Sequence, residues 1–130
     1  MLNLLLIATG GALGSVARYL SCEIITNLSR SSFAKFPWGT FFVNIAGSMI
    51  AGIIYYFIIR NFDNFDLRLK NFLLVGFLGG FTTFSAFSLD FFRLFSAGQY
   101  PQALFYAISS VTLAILALFF GFYSTKLIFS

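Results

Sequence analysis

The chain has no histidine, a single cysteine at Cys22, and only four acidic residues in a length of 130. A lone thiol excludes an internal disulfide and a multi-cysteine metal site, and without histidine neither a usual zinc centre nor a Ser-His triad can be assembled. No enzymatic activity is expected. Charge is scarce as well, with 9% of residues charged against 59% hydrophobic. That balance excludes an ordinary soluble domain and points to an integral membrane protein. Eight basic residues leave a formal charge of +4, but none of them cluster as nucleic-acid binding requires, so no nucleic-acid partner is expected.

What is present is apolar sequence in long runs. A span needs roughly 20 predominantly apolar residues, and four stretches qualify: Leu2 to about Ile25, Pro37 to Ile59, Phe72 to about Phe92, and Gln102 to Thr125. The expected architecture is an all-α membrane protein of four transmembrane helices in one domain, residues 1–130, multi-pass in the cell inner (plasma) membrane. The first run has no basic residue before Leu4 and carries Arg18 near its far end, the reverse of a cleavable signal, and is read as a retained span. Four short helices offer little interior for a sheltered aqueous site, so oligomerisation is expected. No Asp, Glu or His lies in the middle of a run, whereas proton-coupled transporters commonly relay through such groups. Passive conduction is favoured over proton-coupled exchange.

Alternating spans place Arg60, Arg68, Lys70 and Lys126 on one side and Arg30, Lys35 and Arg93 on the other. An excess of Lys and Arg normally marks the cytoplasmic side. Four against three is almost no excess, which leaves single and dual insertion both open. Small residues recur at helix-packing spacing: Gly10 with Gly14, Ser48 with Gly52, Gly76 with Gly80, and Ala103 through Gly121 along the fourth run. Such faces let helix backbones approach closely in lipid.

The third run contains Gly76-Phe77-Leu78-Gly79-Gly80-Phe81-Thr82-Thr83-Phe84-Ser85-Ala86-Phe87. Glycines followed by threonines weaken a helix where no water can repair it, so the third helix is expected to break near its middle. Carbonyls freed there, such as those of Gly79 and Thr82, could face a cation. Phe84 and Phe87 are three apart and share a face, with the hydroxyls of Thr83, Ser85 and Ser88 nearby; among 20 phenylalanines such a pair alone is a weak signal.

Asn44 is the most polar residue of the second run, and its amide must find protein or water; an interhelical hydrogen bond is the plain alternative to a ligand role. Tyr106, Ser109 and Ser110 make a polar track on the fourth run, though each hydroxyl can instead bond back to its own helix. Together these groups supply donors without a full negative charge, which suits an anion. Arg18 lies deep enough to need a role, either drawing anions into a vestibule or anchoring at the interface, paired with Glu23. Asp90 and Arg93 are spaced for a surface ion pair of small value.

Three motifs in order carry a family resemblance. Gly10-Gly11-Ala12-Leu13-Gly14-Ser15-Val16-Ala17-Arg18-Tyr19, Pro37-Trp38-Gly39-Thr40-Phe41-Phe42-Val43-Asn44-Ile45-Ala46-Gly47-Ser48, and Gly79 through Phe87 resemble the first three helices of the Fluc (CrcB) family of small fluoride channels. The resemblance implies an antiparallel, dual-topology homodimer with two fluoride pores and a structural sodium ion at its centre. It implies that the carbonyls of Gly79 and Thr82 from both subunits hold the sodium, and that Phe84, Phe87 and Asn44 line the pore with Thr83 and Ser85. Tyr106 and Ser110 would match the fourth-helix polar track, and Arg18 the vestibule arginine. Ala86 stands where the family commonly has threonine.

The expected function is a passive fluoride-selective channel that exports fluoride and relieves its toxicity. The alternative is a small four-helix multidrug exporter that binds organic cations through its aromatics, a mechanism that wants a membrane-embedded carboxylate. A third reading, an assembly subunit for a larger membrane partner, leaves the polar residues of three spans unexplained.

Overall fold

The computed structural model describes residues 1–29, 36–61 and 66–129. Regular structure among the described residues is entirely helical, in the order α1 (Leu2–Leu28), α2 (Trp38–Arg60), α3 (Leu67–Lys70), a π-helical stretch (Asn71–Leu78), α4 (Gly79–Phe81), α5 (Phe84–Ser96) and α6 (Tyr100–Phe129). The stretch from Leu67 to Ser96 crosses as one unit, giving four helices long and apolar enough to span a bilayer.

The spans run further than composition suggests. The first continues to Leu28, the second to Arg60, the third starts at Leu67 and ends at Ser96, and the fourth extends from Tyr100 to Phe129. The turn after α5 is only Ala97–Gln99, because Gly98 adopts φ +74° and closes α5 with hydrogen bonds from Gly98 N–H to the Phe95 carbonyl and from Gln99 N–H to the Leu94 carbonyl. The third span likewise starts early, at Leu67, since the Asp66 side chain accepts the Arg68 N–H and starts helix there. Arg30 and Lys35, counted above in the orientation argument, lie outside the described residues. The Arg60 guanidinium donates to the Phe129 carbonyl, so the C-terminal ends of α2 and α6 share a side, as alternating spans require.

Two seams hold the bundle. α1 packs on the π-helical stretch and α4, while α2 packs along α6. Both seams are backbone against backbone. A Cβ on Gly14 would stand 2.0 Å from the Phe77 carbonyl oxygen, and one on Gly80 would stand 2.4 Å from that of Gly11. On the other side a Cβ on Gly52 would meet the Leu118 oxygen at 2.1 Å, and one on Gly121 the Met49 oxygen at 2.2 Å. In lipid, where apolar side chains gain little by leaving the solvent, this close approach supplies the dispersion contact that water would otherwise drive.

One buried cluster joins Phe41, Leu94, Ala103 and Tyr106, with Phe36, Trp38, Ile45, Phe87 and Phe91 packed around it; Val43, Tyr56, Ile58 and Leu78 are buried as well. Elsewhere large apolar side chains face outward on every span, among them Leu4, Tyr55, Leu89 and Ile108. Such surfaces are those of a multi-pass membrane protein, which buries them in hydrocarbon.

The third helix is broken, but not across its glycines. Gly79 keeps helical dihedrals, φ −61° and ψ −36°, while Thr82 (φ −84°, ψ 156°) and Thr83 (φ −152°, ψ 122°) are extended. Gly76 and Gly80 instead serve the seam with α1. The break falls where two β-branched residues follow the last seam contact.

Candidate functional site

The extended residues open a cleft of about 400 Å³ between α2, α6 and the third span. Its wall includes Asn44 and Ser48 from α2, Gly79, Thr82, Thr83, Phe84 and Phe87 from the third span, and Ser110 from α6. Seven of the ten residues singled out in the sequence thus meet at one place.

Asn44 is committed on both faces of its amide. Its Nδ2 donates to the Thr83 carbonyl at 2.9 Å, and its Oδ1 accepts the Thr83 N–H at 2.8 Å. This is the interhelical bond anticipated as the plain alternative, in bidentate form. An amide nitrogen carries two hydrogens, so one N–H remains for another partner. Because the Thr83 N–H goes to Asn44, it is lost to the Gly79 carbonyl, which would receive it in an unbroken helix. Thr83 also caps α5, its Oγ1 accepting the Ala86 N–H at 3.2 Å.

The ring centroids of Phe84 and Phe87 lie 5.4 Å apart, tilted by 33°. Phe84 is 76% exposed on the single chain, as are many large apolar side chains of the lipid-facing spans. Ser110 is the reverse case: it is 4% exposed, and its hydroxyl has no hydrogen-bond partner among the described residues. A buried hydroxyl without a partner costs free energy, so it marks a place where a ligand or water is wanted. Its neighbours behave differently. Ser109 bonds back to the Phe105 carbonyl, and Ser88 to Phe84.

Three of the ten stand apart from the cleft. Ser85 is exposed, its Oγ 3.4 Å from the Thr83 hydroxyl. Tyr106 is fully buried with its ring 5.1 Å from that of Phe87, so it backs the phenylalanine pair. Arg18 is half-buried on α1 and forms no ion pair with Glu23, the partner that the anchoring alternative offered.

A second recess of about 590 Å³ lies beyond Tyr106, lined by Cys22, Thr40, Asp90 and Arg93 among others. Asp90 joins the Tyr106 hydroxyl at 3.5 Å and the Arg93 guanidinium at 2.9 Å. Asp90 is thus more than half of a surface pair, and Thr40 joins it in the recess. Asp90 sits three residues beyond Phe87, and that spacing was the available signal. Phe87 and Tyr106 thus stand between the cleft and the recess, with Asp90 on the recess side.

A family model described as CrcB-like protein, Camphor Resistance (CrcB), matches residues 5–122. The chain belongs to the CrcB family. It is 44% identical over 121 residues to the fluoride-specific ion channel FluC of Agrobacterium fabrum, covering 93% of this chain and 94% of that one. Against the FluC of Phocaeicola vulgatus identity is 43%, covering 97% of this chain and 100% of the relative. The FluC of Rhizobium meliloti is 46% identical over 93% of this chain and 94% of its own. Within this CrcB chain the matched residues take in both glycine seams, the break and the whole cleft.

Proposed function

We propose that the protein is a passive fluoride-selective channel, and that it works as an antiparallel homodimer with two pores. The observation that carries this reading is the convergence of Asn44, Ser110, Phe84 and Phe87 on one cleft, in a chain whose relatives are fluoride-specific channels. Fluoride is small and strongly hydrated, so a pore must replace its water with donors. The free N–H of Asn44 and the unpartnered hydroxyl of Ser110 are such donors. Ring edges supplement them, because the quadrupole of a phenyl group is positive at its edge. Exported fluoride would run down its gradient, since the ion accumulates inside after entry as neutral HF from acidic surroundings. The cleft wall contains no carboxylate, which removes the proton-exchanging group that a multidrug exporter would use.

The exposed Phe84 and the partly open cleft fit a second copy of the chain completing the site. A sodium ion on the dimer axis would be held by backbone oxygens of the break. The Gly79 carbonyl has lost its helical donor to Asn44, and Thr82 is extended, leaving backbone oxygens of the type hard monovalent ions prefer. Such an ion would raise anion affinity nearby, because charge acts strongly at low dielectric.

Purified protein in liposomes should release fluoride and retain chloride. Phe84→Ile, Phe87→Ile and Asn44→Asp should each cut fluoride efflux while the oligomer stays intact by size-exclusion chromatography. Absence of fluoride efflux, or equal passage of chloride, would end this proposal.

A further inference from the structure

The extended form of Thr83 needs a cause. A continuous helix would regain the bond from the Thr83 N–H to the Gly79 carbonyl, and in a dry bilayer each such bond is difficult to give up. The geometry of Asn44 supplies the compensation. In an extended residue the N–H and C=O point to the same side, so one partner can exchange both bonds with it, as paired strands do. In a helix the two groups point in opposite directions along the axis. The amide of Asn44, at 2.8 Å and 2.9 Å from the two groups of Thr83, can therefore engage only the broken form.

A second feature of α2 acts on the neighbouring residue. Gly47, just under one turn beyond Asn44, leaves a notch into which the Thr82 methyl fits: a Cβ there would lie 2.3 Å from Thr82 Cγ2. Thr82 cannot readily turn that methyl away, because its hydroxyl donates to the Leu78 carbonyl at 2.8 Å. Both extended residues are thus held from the same helix.

We propose that Asn44 is a positioning residue: with the Gly47 notch it clamps the Thr82–Thr83 break, and by that one clasp it fixes the freed Gly79 carbonyl on one side and the first turn of α5, carrying Phe84 and Phe87, on the other. This deepens the channel reading and rests on it for the roles of the two flanks. Asn44 acts on transport through the backbone of the third span, in addition to any contact its remaining N–H makes in the cleft.

The test is hydrogen–deuterium exchange on the full-length protein in lipid nanodiscs, comparing wild type with Asn44→Ala and with Asn44→Leu, whose similar volume protects the packing of α2. Exchange over Thr83–Ala86 should rise about tenfold or more in both variants, as loss of two hydrogen bonds implies, while α1 and α6 exchange as before. Melting in sodium chloride and in N-methylglucamine chloride gives an independent readout. The sodium-specific shift should vanish in the Asn44 variants, whereas Ser110→Ala should lose fluoride efflux and keep both the shift and the slow exchange. Unchanged exchange over Thr83–Ala86 in a folded Asn44 variant would overturn the clamp, and so would a sodium shift of wild-type size in that variant. If the wild type itself shows no sodium-specific shift, the cation reading falls, and exchange alone decides the clamp.

Discussion

The two halves of the third span are built on opposite principles. From Asn71 to Phe81 the helix lies backbone to backbone on α1, with glycines at the contacts and no polar side chain turned to a site. From Phe84 to Ser96 it carries phenylalanine rings, hydroxyls and a carboxylate, and it meets α6 through side chains. The first half is fixed by shape alone, while the second presents chemistry on a surface that the first half holds in place. Two extended threonines separate them, so the functional half can be aimed independently of the seam. The π-helical stretch belongs to the first half, where a wider turn sets Gly76 opposite Gly10, its Cβ position 3.0 Å from the Gly10 Cα.

The contrast breaks most severely at the seam. Gly14→Ala places its Cβ 2.0 Å from the Phe77 oxygen and 2.9 Å from the Phe81 nitrogen, and neither is the end of a flexible side chain. Overpacking costs about 1–3 kcal/mol even where side chains can shift, and here backbone must move. Melting of the detergent-solubilised protein should fall by the upper part of that range or fail to be cooperative. Gly11→Ala is the control, since its Cβ finds nothing nearer than the Gly76 oxygen at 3.8 Å. It should melt no lower than wild type, because alanine gains about 1 kcal/mol of helix propensity over glycine. Equal losses in the two variants would mean that the seam is not backbone-limited.

This asymmetry also explains what was legible in the sequence. Four spans could be read from length and apolarity, and glycine pairs from spacing, because both depend on the chain alone. A break near the middle of the third helix could be read as well, but not which residues of the glycine-threonine cluster carry it. Glycines in a lipid-embedded helix serve either bending or close approach, and only the presence of α1 against Gly76 and Gly80 decides between them. The helices outrun the apolar runs, because Arg60, Ser96 and Tyr100 are polar enough to resemble loop yet remain helical. Asn44 announced itself as an amide in need of a partner, but no pattern in sequence names Thr83, 39 residues away, as that partner. Tyr106 and Ser110 share a helix face, yet one fills the core behind Phe87 while the other meets the cleft, a division made by the ring of Phe87.

A milder perturbation tests the junction. Thr83→Ala removes the oxygen that accepts the Ala86 N–H at the start of α5 while leaving the backbone groups held by Asn44. Loss of such a cap costs about 1 kcal/mol. The melting temperature should drop modestly, and Thr83→Ser, which restores the oxygen, should recover it. If Thr83→Ala were as damaging as Gly14→Ala, the junction would be part of the rigid seam, and the two halves would not be separable.

The smallest effect is expected at the far end of the functional half. Asp90→Asn removes the charge that pairs with Arg93, but the arginine side chain is 67% exposed and the pair is an i, i+3 contact. Pairs of this kind contribute about 0–1 kcal/mol and are screened by salt. Asparagine keeps an oxygen that can still accept from Tyr106, so melting should change little, and any difference should shrink in high salt. A loss larger than that of Thr83→Ala, undiminished by salt, would show the carboxylate fastening α5 to α6 through the buried tyrosine. In that event the second half would have a fixed polar anchor of its own, and its independence from the glycine seam would be greater than the break alone provides.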